Sequence, residues 1–134
     1  MVEDKKKERE QNYSLFQVVQ QQLKQTQKQI KTLQSQQEDL LGNMQALDDL
    51  IKIKIGADIL VPITSGIFIK ATLQEKETVT VNIGAQTAVR KTIGGARQLL
   101  EEQFREVETV LTQLVNDFQE LSAQAQLLEQ RLAN

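Results

Sequence analysis

Cysteine and histidine are both missing from this chain of 134 residues, and their absence removes much chemistry in one step. There is no disulfide, no thiol nucleophile, no Cys/His zinc site and no near-neutral imidazole base. Tryptophan is absent too and aromatics make up 4%, which argues against an extensive compact core. Charge of one sign is scarce: the net charge is −2, and the longest basic run, Lys5-Lys6-Lys7, lies between Asp4 and Glu8. Neutralising a phosphate backbone takes more than that, so no nucleic-acid partner is expected. No apolar run approaches the roughly 18 residues of a membrane span, and the N-terminus is polar. The expectation is a soluble, cytoplasmic protein with no membrane partner. Gly94-Gly95 lacks the spacing and the lysine of a phosphate loop, and no carboxylate pair falls in an expected pocket. Neither catalytic residues nor a cofactor or metal site is expected.

What the chain does have is glutamine, about one residue in six, and two long heptad patterns. The first seam runs Phe16, Val19, Leu23, Thr26, Ile30, Leu33, Gln37, Leu40, Met44, Leu47, Ile51, with steps of three and four and nine apolar positions of eleven. A period of 3.5 held this long predicts a coiled-coil helix over residues 12–54, about 64 Å at 1.5 Å per residue. Residues 1–11 carry mixed charge without a stripe and read as a frayed lead-in. The second seam is Leu100, Phe104, Val107, Leu111, Leu114, Phe118, Leu121, Ala125, Leu128 and Leu132, on a helix over 92–132 with Thr92 as its N-cap. Antiparallel seams have facing residues of constant sum. A sum of 144 sets Phe16 against Leu128, Val19 against Ala125 and Thr26 against Phe118; it fails at Leu47–Arg97, where Ala96 or an outward-leaning arginine stem would fill in, and registers shifted by seven are the alternatives. Thr26 and Gln37 are either tolerated imperfections or devices that fix register.

Between the seams, residues 57–91 change period. Gly66–Leu73 and Thr78–Ile83 place β-branched or bulky apolar residues at every second position, which fills one face of a pleated strand. Two hairpins are expected, Ile59–Ile63 with Gly66–Thr72 and Thr78–Ile83 with Thr87–Lys91. Pro62 cannot donate to a ladder and belongs at an edge. The fold class is therefore α+β: a long antiparallel coiled-coil helical hairpin with two β-hairpins inserted between its helices, one unit over 1–134. Ile67, Ile69, Leu73, Val79, Val81 and Ile83 share an apolar face, and no amphipathic element remains to cover it. Oligomerisation through the strands follows, with these six residues as the subunit-assembly surface.

A helix, then Leu60-Val61-Pro62-Ile63 leading into Gly66-Ile67-Phe68-Ile69-Lys70-Ala71, then Val79-Thr80-Val81-Asn82-Ile83-Gly84, then Val89-Arg90-Lys91-Thr92 opening a second helix, resembles the α-type subunit of prefoldin. Four strands point to the α rather than the β class. The resemblance implies a hexamer of two α and four β subunits on a double β-barrel platform from which the coiled coils project. It further implies an ATP-independent co-chaperone whose coil tips hold unfolded client proteins and pass them to a group II chaperonin. Gln86, Thr87, Ala88, Arg90, Gly94 and Gly95 depart from the family's usual pattern, and they lie in the region expected to assemble.

Tips that grip clients should carry apolar residues beyond those of the seam. Tyr13, Leu15, Val18 and Leu127 lie off it, and Phe16, Val19, Leu128 and Leu132 would join them where the coil splays; together these eight are the candidate client-binding residues. Two other readings stand beside this one: a prefoldin-like subunit that self-assembles into filaments, and a coiled-coil spacer.

Overall fold

A computed structural model describes residues 2–133; Met1, at the start of the expected lead-in, and Asn134 lie outside the described residues. Helix α1 spans Val2–Lys52, strands β1 Asp58–Thr64, β2 Ile67–Thr72, β3 Val79–Gly84 and β4 Thr87–Lys91 follow, and helix α2 spans Ile93–Ala133. Two compact units are present. One holds the described residues up to Gln37 with those from Glu106 on, and the other holds Glu38–Arg105.

The lead-in is a correction. α1 is helical from Val2, not from Asn12, and ends at Lys52 rather than Lys54. Glu3 and Asp4 stand in the first turn, where negative charge meets the positive end of the helix dipole, and the Lys/Glu/Arg composition has good helix propensity. The absence of an apolar stripe says that this stretch buries nothing, and that is no bar to a helix.

In the first unit the two helices run antiparallel. From residue 16 to residue 37 of α1, only the expected seam positions Phe16, Val19, Leu23, Thr26, Ile30, Leu33 and Gln37 are buried or half-buried. On α2 the seam from Val107 to Leu132 is likewise withdrawn from solvent. A groove brings Gln22, Gln25, Thr26 and Gln29 alongside Asp117, Glu120, Leu121 and Gln124. These neighbours lie nearer a seam sum of 144 than one shifted by seven. Leu128 is 5% exposed and Val19 2%.

The second unit takes up the end of α1, both hairpins and the start of α2. Arg97, where the apolar pairing was expected to fail, is half-buried and polar-tied. Its Nη1 lies 3.3 Å from Asp48 Oδ1 and donates to the Met44 carbonyl at 3.5 Å, and its Nε lies 3.5 Å from Glu101 Oε1. Ile51 departs from expectation: it is exposed, and Leu50 is half-buried instead. A partner for Ile51 at the same sum would be Ile93, the first residue of α2, so no helical turn stands opposite. Thr92 is the expected N-cap, with Gly95 N donating to its hydroxyl at 3.0 Å. A Cβ on Gly95 would sit 3.1 Å from that hydroxyl, so glycine here leaves the cap its room.

The strands form two separate two-stranded sheets, β1 with β2 and β3 with β4. Val61 pairs with Ile69 and Pro62 with Phe68 in the first; Val81 pairs with Val89 and Thr80 with Arg90 in the second. The first ladder continues beyond its strands through Gly56 N to the Leu73 carbonyl (2.8 Å) and Leu73 N to the Ala57 carbonyl (3.0 Å). In the second, Ala85 (φ 49°) and Gln86 (φ 60°) both take left-handed backbone, a turn that normally calls for Asn-Gly.

Two stability outcomes follow. Gln86→Gly removes an unfavourable left-handed side chain and should stabilise the folded chain by about 1 kcal/mol in thermal or urea unfolding. Leu128→Ala should cost about 2–4 kcal/mol in the same measurement, because its side chain is enclosed by the seam.

Candidate assembly and client-binding surfaces

The hairpins present apolar side chains with nothing over them. Of the six expected assembly residues, Ile67, Ile69 and Ile83 are about half exposed, while Leu73, Val79 and Val81 are half-buried. Alternation and pairing put Ile59, Val61, Ile67, Ile69 and Ala71 on one face of the first hairpin. The opposite face is also apolar towards the turn, which the sequence reading missed. Leu60 (70% exposed), Pro62 and Phe68 (56% exposed) stand there, and only at its base do Lys70 and Asp58 pair at 3.3 Å. The signal was available, since Ile59–Ile63 and Ile67–Ile69 are unbroken apolar runs, and such runs mark strands covered on both faces. The second hairpin differs: Val79, Val81 and Val89 share one face, and Thr80, Asn82 and Arg90 the other.

Burying the exposed half of one such Leu, Ile or Phe is worth about 1 kcal/mol. Leu60, Ile67, Phe68 and Ile69 together therefore offer several kcal/mol to whatever covers them. Each strand also has an unpaired edge whose backbone donors and acceptors are open to another strand.

At the other candidate surface the eight tip residues fall into two groups. Tyr13, Leu15, Val18 and Leu127 are each slightly more than half exposed. Leu15 precedes Gln22 by one heptad and Leu127 follows Gln124 by three residues, so both stand on the flank of the Gln22–Gln124 groove. Tyr13 lies in a separate shallow groove with Lys6, Arg9, Glu10, Ser14 and Leu132. The remaining four are not splayed open, as the sequence reading expected. Val19 and Leu128 are buried and Phe16 and Leu132 half-buried, because seam packing continues to the last turns. Among the described residues no cluster of three metal-ligating side chains occurs, and no helix is long and apolar enough to cross a membrane.

Comparison with known proteins follows these features closely. The prefoldin subunit family matches residues 19–134. The chain is 36% identical over 84 residues to prefoldin subunit alpha of Methanobrevibacter smithii, a stretch that is 63% of this chain and 56% of that protein. It is 26% identical over 84 residues to prefoldin subunit alpha of Thermofilum pendens, covering 63% of this chain and 65% of the relative. The matched stretches thus span a little over half to about two-thirds of these relatives' own length. With prefoldin subunit alpha of Archaeoglobus fulgidus the identity is 20% over 127 residues, covering 95% of this chain and 93% of the other. A chain in the cryo-EM structure of filamentous PFD from Methanocaldococcus jannaschii shares the fold at a TM-score of 0.73 and 20% identity, over 84% of this chain and 93% of that one. Two long helices with two β-hairpins between them are the fold of that family, whose subunits are non-enzymatic. The chain belongs to the prefoldin subunit family, and the curated relatives it matches are α-type subunits.

Proposed function

We propose that this chain is the α-type subunit of an ATP-independent chaperone, joined to β-type subunits through its strands and holding non-native proteins at the ends of its helices. The observation that carries the reading is the uncovered apolar surface of the first hairpin, with Leu60, Ile67, Phe68 and Ile69 about half exposed or more. A single chain gains nothing from such a surface, whereas an assembly gains several kcal/mol by closing it. Ile67, Ile69, Leu73, Val79, Val81 and Ile83 make up the subunit surface, in a hexamer of two α and four β subunits. Clients are gripped at Tyr13, Leu15, Val18 and Leu127, with Phe16, Val19, Leu128 and Leu132 behind them, and are handed on to a group II chaperonin. Weak contacts from several such ends add through effective concentration.

A second reading is that the chain polymerises by itself. Its support is the apolar character of both faces of the first hairpin, together with the likeness to a chain of filamentous PFD.

Native mass measurement separates the two. The co-chaperone reading expects a discrete hexamer only when a β-type subunit is added; long polymers from this chain alone would instead select the filament. Ile69→Asp should abolish either assembly while the helical circular dichroism is retained, since the side chain is about half exposed in the single chain. For the tips, Tyr13, Leu15, Val18 and Leu127 are replaced together by serine. Because these residues are exposed, the assembly state should persist, and suppression of aggregation of guanidine-denatured citrate synthase should fall severalfold. Undiminished suppression by a correctly assembled variant would rule out the tip as the client surface.

A further inference from the structure

Both helices end on carbonyls that have no partner within their own helix, and in each case a cation from another element supplies one. Lys76 Nζ donates to the Ile51 carbonyl at the end of α1 (3.0 Å). Arg9 Nη2 donates to the Leu132 carbonyl at the end of α2 (3.0 Å). Cations suit these places because the last carbonyls carry the negative end of the helix dipole. The arginine contact does more than cap, since Arg9 belongs to α1. It ties the first turns of one helix to the last turn of the other, across 123 residues of sequence.

The position of that tie matters because of what lies on either side of it. Inward from it, Val19 and Leu128 are shut in the seam with Phe16 and Leu132 half-buried. Beside it runs the groove lined by Lys6, Arg9, Glu10, Tyr13, Ser14 and Leu132, so an apolar side chain seated against Tyr13 adjoins the arginine directly. The flanks of the α1 seam contribute no charge here. From residue 20 to residue 36 the six positions next to the seam are Gln20, Gln22, Gln27, Gln29, Gln34 and Gln36. Interhelical ion pairs of the kind that usually lock coiled-coil flanks therefore cannot start from them. Thr26, a polar residue at a buried seam position, further weakens the apolar seal one heptad in from Val19.

We propose that Arg9 is a latch on the tip: while it holds the Leu132 carbonyl, the seam stays closed, and its release gives an apolar segment of a non-native protein access to Phe16, Leu128 and Leu132. This rests on the tip being the client surface, and it adds that the tip in its closed state is self-occluded. Arg9 acts as a positioning residue, because the grip itself comes from the seam side chains. One charge-assisted bond at an exposed site shifts the opening equilibrium by about fivefold.

The test compares Arg9→Ala and Arg9→Lys with the unaltered chain, in the assembled state, by two readouts. In Arg9→Ala, backbone hydrogen exchange over residues 126–133 should accelerate about fivefold. Half-maximal suppression of guanidine-denatured citrate synthase aggregation should then need less chaperone. Arg9→Lys keeps a cationic donor and should restore both readouts towards the starting values. Unchanged exchange in Arg9→Ala would overturn the latch, as would faster exchange with equal or weaker suppression. The serine variant at Tyr13, Leu15, Val18 and Leu127 tells the two failures apart. If that variant still suppresses fully, the tip reading itself is wrong; if it loses suppression while Arg9→Ala gains none, only the latch is wrong.

Discussion

A two-stranded ladder can cover neither its faces nor its outer edges, and the rest of this molecule is arranged around that shortfall. Each hairpin satisfies half of its backbone groups internally and presents the others outwards. The second hairpin offers one apolar face, as an ordinary half-buried sheet does. Towards its turn the first is apolar on both. A surface of that kind gains several kcal/mol when something closes over it, and the proposed assembly would supply that closure. Membership of the prefoldin family says what sort of completion to look for.

The helices solve a different problem with different means. Their shared surface is a narrow seam, so few side chains are deeply buried, and stability accumulates through many half-buried contacts. Polar residues are tolerated where the seam meets other constraints. Arg97 occupies a position that a leucine would normally take, with its head on Asp48 and Glu101 and its stem among the helices.

How much of this was legible beforehand depended on how locally each feature is encoded. Seam positions from Phe16 to Leu47 and from Leu100 to Leu132 were readable because a 3.5-residue period repeats the same statement many times. Thr92 as a cap was readable from short-range chemistry, whereas Ala85 and Gln86 carry none of the residue types that a left-handed turn favours. The start of α1 was misread, because lack of an apolar stripe was taken for lack of a helix. Ile51 was misassigned because its exposure depends on where α2 begins. The face bearing Leu60 and Phe68 was overlooked by attending to alternation alone, although the uninterrupted apolar runs contained it. At the tip, the four off-seam residues are exposed as expected, and the splaying expected of the others is replaced by a closed seam.

By itself the sequence determined the order of elements and the period of each, and it narrowed the two seams to a few registers seven residues apart. Those are properties of composition and of spacing along the chain, and they need no knowledge of distant neighbours. Tertiary structure alone decided that Arg97 meets Asp48, that Arg9 meets the Leu132 carbonyl and that Ile51 is left outside. The reason is the same in each case: what a side chain meets on a helix far away in sequence is set by where the two helices begin and end against each other, and no local pattern records that.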